Sequence, residues 1–339
     1  MAAHGLSAAF AVLFAVALVA PSALADPPRA RDEADKTVLA NEHVTVWFQG
    51  KKPMLKVFET GNDTRAFHVF LKEIVELQGV GAGREEVSTL RLARAQAWNV
   101  TVDEGAENGT AAARVTMRLS DVPRFLGNQQ EMLNLPPQVQ ERLRRDASPA
   151  NVTLTFHVYE QATVATGMHN ATANVTAYEV KWDLHVEDWP WVNEANRLAI
   201  RFQVRAAGFG NETQNLTDEG EEGVAVSGNG TAEPIGAVTW SETATVVRDG
   251  DANNTNVSSM KFETGKRDGN GHSFLLVFDA LGGYDELSYD PSMSIVPSTE
   301  PTTEDGKKDK DGGIPGFGLP LLVLGAGAAL AWAAVRRRR

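Results

Sequence analysis

Apolar and polar residues alternate one by one along much of this chain. In NVTLTFHV, Val152, Leu154, Phe156 and Val158 are apolar, while Asn151, Thr153, Thr155 and His157 are polar. Side chains of a strand point alternately to opposite faces, so this period predicts strands with one buried face and one wet face. HVTVWF (43–48) and MLKVFE (54–59) flank Gly50-Lys51-Lys52-Pro53 and read as a hairpin. WNVTVDE (98–104) and ARVTMRLS (113–120) read as two more strands, joined across a loop at 105–109. The clearest alternation is YEVKWDLHVEDW followed by LAIRFQVR. It predicts a hairpin whose outer acids Glu179, Asp183 and Glu187 pair with Arg201 and Arg205, with Trp189-Pro190-Trp191 at its tip.

Three stretches depart from the alternation. In RAFHVFLKEIVELQ (65–78), Phe67, Phe70, Leu71, Ile74 and Val75 match a helical stripe, but the β neighbourhood favours a strand. Pro136-Pro137, then Val139 and Leu143, ended by Ser148-Pro149, predict a short surface helix. Residues 208–236 are rich in Gly and acids and read as a long solvated loop. Strands are also expected in 237–247, 258–263, 272–280 and 286–296. About ten strands with almost no helix predict an all-β fold. The expected form is a β-sandwich-type ectodomain, Ig-like or jelly-roll-like, over 26–296, in one or two subdomains divided near 121–150.

Both ends are apolar. Residues 1–25 hold no Lys, Arg, Asp or Glu and close on Ala23-Leu24-Ala25, which reads as a signal peptide cleaved before Asp26. Pro21 and Pro27-Pro28 stand against the alternative, an uncleaved anchor helix. Gly312–Val335 carries no charge over 24 residues. As a helix it would span about 36 Å, enough for a bilayer core. Arg336–Arg339 then place the body on the outer face of the membrane.

Pro315-Gly316-Phe317, the apolar run and the terminal arginines together resemble the PGF-type C-terminal sorting signal of archaeal surface proteins (314–339). The resemblance implies that Pro315, Gly316 and Phe317 are the motif read by an archaeosortase. That sorting enzyme would remove the helix and leave a lipid anchor. PSTEPTTEDGKKDKDGG (297–313) is similar to the low-complexity stalk that precedes such signals. The body is only loosely similar to uncharacterised β-rich archaeal secreted proteins, and no function follows from that.

Charge and composition narrow the partners. The chain has 32 basic and 44 acidic residues, and without Arg336–Arg339 the net charge is −16. A nucleic-acid partner, which needs a basic footprint, is not expected. The chain contains no cysteine, so disulfides, thiolate zinc sites and thiol nucleophiles are excluded.

Asn-x-Ser/Thr acceptors begin at Asn62, Asn99, Asn108, Asn151, Asn170, Asn174, Asn211, Asn215, Asn229, Asn253 and Asn256. Chance would give about two. Their place in the alternation puts Asn99 and Asn151 on solvent faces, as in a glycan-coated β protein.

Other candidate chemistry has a plainer reading beside it. Asp249-Gly250-Asp251-Ala252-Asn253 starts like a calcium loop, but Asn254 and Met260 stand where Gly and Glu are needed, so a polar turn is expected. The acids of 218–222 read as solvated charge before loose cation binding. Trp189 and Trp191 are candidate ligand-binding residues for a sugar, although aromatics of this size more often plug a sandwich end. His157 and His185, with Asp183 or Glu187, would make a metal site if their strands are neighbours. No catalytic motif is present, and no cofactor or metal is expected. The sequence reads as a non-enzymatic glycoprotein of the cell surface, serving envelope structure, adhesion or partner recognition. A surface glycan- or solute-binding module is the alternative, and an unrecognised extracellular hydrolase a third. Its partners would be the membrane, the sorting enzyme, and envelope proteins or glycans.

Overall fold

The computed structural model describes residues 27–298, apart from 80–83, 94, 96–97, 124, 127–135, 137, 139–148, 167–171, 207–214, 219–220, 228–233 and 264–270. Its elements are all strands. The first nine are β1 (Arg29–Asp32), β2 (Lys36–Ala40), β3 (Val44–Gln49), β4 (Met54–Glu59), β5 (Asn62–Gln78), β6 (Glu85–Arg91), β7 (Asn99–Glu107), β8 (Thr110–Pro123) and β9 (Phe125–Leu126). Then come β10 (Pro149–Tyr159), β11 (Thr163–Thr166), β12 (Thr172–Val175), β13 (Glu179–Glu187), β14 (Arg197–Ala206), β15 (Asn215–Asp218) and β16 (Glu221–Ser227). The last six are β17 (Pro234–Ser241), β18 (Thr243–Arg248), β19 (Asp251–Glu263), β20 (Gly271–Phe278), β21 (Glu286–Tyr289) and β22 (Ser292–Ile295).

Twenty of the strands form one antiparallel hydrogen-bonded network, and β11 pairs only with β12. The network has two arms. One runs β1-β2-β3-β4-β5-β14-β20, with β6 continuing the β4 edge of β5. The other runs β7-β8-β10-β13, and β13 then pairs with β21 along one half and β22 along the other. Strand β19 joins the arms: Asp251–Asn256 pairs with β18, and Val257–Glu263 pairs with β20.

The alternating apolar residues of both arms meet in one buried cluster. Phe48 of β3 packs on Phe156 of β10, Phe202 of β14 on Trp240 of β17, and Phe278 of β20 on Tyr289 of β21. Side chains of this size bury about 1.5–3 kcal/mol each, so the interface between the arms is where the fold draws its stability.

Several sequence expectations hold. Strands β3 and β4 form the expected hairpin, as do β7 and β8. The segment with the helical stripe lies inside β5, a strand of 17 residues. A bulge explains its pattern. The β14 partners step from Phe202↔Leu71 to Arg201↔Glu73, so Lys72 is the extra residue of the bulge. Phe67, Val69 and Leu71 face the main core before the bulge, and Ile74 faces it after. The inward spacing is therefore three residues at that point, which imitates a helix. Beyond the bulge Val75 and Leu77 join a second small apolar cluster with Ala199, Leu275 and Val277.

Other expectations need correction. Strands number 22 among the described residues, well above ten, because many are four to six residues long and lack a legible period. The stretch 208–236 holds β15 and β16, whose Val224 and Val226 are buried. Most importantly, β13 and β14 are not a hairpin. β13 pairs with β10, β21 and β22, whereas β14 pairs with β5 and β20. The connection through 188–196 crosses from one arm to the other. Alternation identifies a strand but not its partner. Arg201 accordingly meets Glu73 of β5 and Glu86 of β6, not the acids of β13.

The expected helix after Pro136 lies outside the described residues except for Pro136 and Gln138. The signal peptide, the stalk beyond Ser298 and the sorting motif Pro315-Gly316-Phe317 lie outside them as well. Among the described residues no helix is long and apolar enough to cross a membrane.

Candidate functional site

The acceptor asparagines lie on strand faces and turns. Asn99 on β7, Asn174 on β12, and Asn253 and Asn256 on β19 are exposed, while Asn62 and Asn151 are half-buried. Asn108 is exposed at the β7–β8 turn, where its φ of 50° and the 81° of Gly109 make the two-residue hairpin loop. At the Asn62 acceptor the Thr64 hydroxyl donates to Asn62 Oδ1 at 2.7 Å, so the acceptor's own threonine orders it. Asn215 lies on β15, and Asn170, Asn211 and Asn229 lie outside the described residues. None of the seven asparagines whose exposure is described is buried.

The Trp-Pro-Trp segment is built around a carboxylate that the sequence did not single out. Glu76 is fully buried on β5. It accepts from Asn196 Nδ2 at 2.7 Å, the Val192 amide at 2.8 Å, Ser88 Oγ at 2.9 Å, and Trp189 Nε1 and the Asn193 amide at 3.2 Å. A buried carboxylate is tolerated when its lone pairs are filled in this way. Trp189 is thereby only 4% exposed. Stacking on a sugar needs an open ring face, so the assignment of Trp189 as a ligand-binding residue is corrected. Trp191 is half-buried, with its ring laid on Gly282 and edge-on to Tyr284 at 4.9 Å. Both indoles pack against the protein's own residues.

The two histidines share a face because β10 and β13 are neighbours, with Thr153 opposite His185 and His157 opposite Lys181. That face is not outward in effect: His157, Lys181, Asp183 and His185 are all buried. Asp183 accepts from Lys181 Nζ at 2.6 Å and meets His157 Nε2 at 3.0 Å. His157 Nδ1 lies 3.4 Å from Glu107 Oε2, an ionic contact, and the Tyr159 hydroxyl donates to the same oxygen at 3.1 Å. His185 turns away to Ser288 Oγ at 3.0 Å and to Glu187 at 3.3 Å. The metal arrangement considered from sequence is not assembled: the ammonium of Lys181 stands at Asp183, and no group of three ligating side chains occurs among the described residues.

Burial and neighbours separate the acids of this cluster. Asp183 would be raised by burial, but His157 and Lys181 hold it down to about 2. Asp290, beside it, is pushed up to about 7, first by burial and then by the Asp183 charge. Burial alone would lower His157, yet Asp183 and Glu107 raise it above the ordinary histidine value. The recess next to Lys181 and Asp290 is about 20 Å³, room for roughly one water. The cluster can hold and exchange protons but has no room for a substrate there. Its edge is tied by Asn41, also missed in the sequence, whose Nδ2 donates to Tyr159 O and Ala177 O at 2.7 and 2.8 Å.

The calcium-like stretch is a turn, as its sequence suggested. Asp249 and Gly250, with φ of 53° and 83°, link Arg248 to its partner Asp251. Of the acids at 218–222, Glu222 accepts from Trp240 Nε1 and Ser259 Oγ. Comparison with known protein families and with curated proteins returns no match to this chain.

Proposed function

We propose that this chain is a non-enzymatic, N-glycosylated cell-surface protein of archaeal type, acting in envelope structure, adhesion or partner recognition. The two arms close into a β-sandwich-type body, Ig-like or jelly-roll-like in plan. A signal peptide exports it, and 297–313 serves as a stalk ahead of the PGF-type signal that exchanges the C-terminal helix for a lipid. The observation that carries this reading is the acceptor array: eleven sequons, with every asparagine of described exposure reaching solvent. The buried polar groups support it too, since Glu76 and the Asp183 cluster are consumed in holding strands and loops together.

Surface display is tested by labelling intact cells with a membrane-impermeant amine reagent. Lys51 and Lys52, in the β3–β4 turn, are expected to react before lysis. Labelling that appears only after lysis would overturn the proposal.

A further inference from the structure

The connection between β21 and β22 contains an Asp-Pro peptide bond, Asp290-Pro291. Such a bond has a chemistry of its own. An aspartate carboxyl reaches the carbonyl carbon of its own residue without help from any other, because the ring that closes has five members. A proline nitrogen belongs to a tertiary amide and leaves more readily than a secondary one. The leaving nitrogen needs the carboxyl's proton, which confines the reaction to acid when the aspartate is exposed and titrates near its ordinary value.

The surroundings of Asp290 hold its carboxyl in the reactive form. Asp290 Oδ1 is shielded from solvent and has no hydrogen-bond partner. The carboxyl shares a hydrogen bond with Asp183, and because Asp183 is held down to about 2, the proton belongs to Asp290. Burial raises Asp290 most, to about 7, with Asp183 pushing the same way and Lys181 and His157 opposing. Glu179 also faces the adjoining recess, and Glu107 stands 3.4 Å behind His157. Strands β12 and β17 bring only uncharged side chains to it. The backbone is fixed as well: the Trp182 amide donates to Pro291 O at 3.0 Å, and Lys181 lies opposite Ser292. Both residues of the bond line the recess of about 20 Å³, room for the one water that hydrolysis consumes.

We infer that the Asp290-Pro291 bond cleaves itself, with Asp290 Oδ1 as the nucleophile and water as the only co-reactant. Oδ1 bonds to the backbone carbonyl carbon of Asp290 and closes a cyclic anhydride. The bond from that carbon to Pro291 N breaks, its electron pair stays on nitrogen, and the carboxyl's proton joins it there. Pro291 is then a free secondary amine. Water opens the anhydride, which restores the Asp290 side chain and leaves a new α-carboxyl. Strand β22 follows the cut, with Met293 and Ile295 buried and its backbone paired to β13 and β17. It therefore stays seated after cleavage, and the pieces part only when β22 withdraws. Release of the body from a membrane rests on the surface reading proposed above, whereas the cleavage itself does not.

The test is incubation of the purified protein over several days, read by denaturing mass spectrometry and sequencing of new amino termini. At about pH 6 the folded protein is expected to yield a fragment beginning at Pro291, and the rate should fall as pH rises through about 7. The same chain unfolded in urea at about pH 6 should cleave slower by on the order of a hundredfold, the ratio of protonated fractions for carboxyls near 7 and 3.8. Asp290→Asn removes the nucleophile, and Pro291→Ala keeps the carboxyl but makes the leaving group poor. Both should abolish the fragment, with thermal melts checking that each variant folds. No Pro291 terminus from the folded wild type would overturn the inference. Equal rates in folded and unfolded chains would reduce it to ordinary acid lability, and cleavage that persists in both variants would assign it to a contaminating protease.

Discussion

Glu76 holds β5, β6 and the crossover between the arms together. One carboxylate gathers five donors from β6 and from the crossover that links the two arms. Replacing it by leucine would leave those donors facing an apolar group, at a cost of about 1–3 kcal/mol for each that water cannot reach. Glu76→Leu is expected to lower unfolding free energy by about 3–5 kcal/mol in urea titrations, in line with the cost of breaking a buried charged network. A loss below about 1 kcal/mol would show that the crossover is held by its tryptophans alone. In the sequence Glu76 looks like one more acid in KEIVELQ. Its importance depends on partners more than a hundred residues away, which no local pattern carries. The turns at Asn108-Gly109 and Asp249-Gly250 were easier to read, because positive φ selects Asn, Asp and Gly locally.

At the scale of elements, the period of two marked the strands and the bulge in β5 disguised one. Pairing was not legible. Nothing in YEVKWDLHVEDW or LAIRFQVR says that each lies in the interior of a different arm. The polar residues of β13 looked outward because they alternate with the core set. The β11–β12 hairpin lies beside that face, with Ala165 and Val175 packing on Tyr159 and 173–175 lining a recess with Lys181.

That buried polar layer predicts a pH dependence. Asp290 has a folded-state pKa raised to about 7 from an ordinary 3.8. Its favourable contribution is therefore full below about pH 4 and lost as pH rises through 7. His157, also raised, contributes fully below its ordinary 6.5 and loses this as pH rises through its folded value. Asp183, lowered to about 2, acts the other way: its contribution is present above 3.8 and lost as pH falls through 2. Denaturation midpoints should thus decline from about pH 4 to 8. Asp290→Asn should flatten most of the slope between 4 and 7. A variant with the wild-type slope would show that Asp290 does not titrate in the folded protein.

For the whole molecule, the acceptor asparagines and the acidic balance describe a surface made to meet solvent. Exposure of Asn99 follows from the strand period and that of Asn108 from turn chemistry, and Asn174, Asn253 and Asn256 are exposed as well. The most direct measurement of the central claim is the intact mass of the protein purified from native membranes, with peptide mapping of both ends. The account predicts a chain starting at Asp26, glycan on several of those asparagines, loss of the residues beyond the Pro315-Gly316-Phe317 motif and an added lipid mass. Bare asparagines together with an unprocessed tail ending at Arg339 would contradict it.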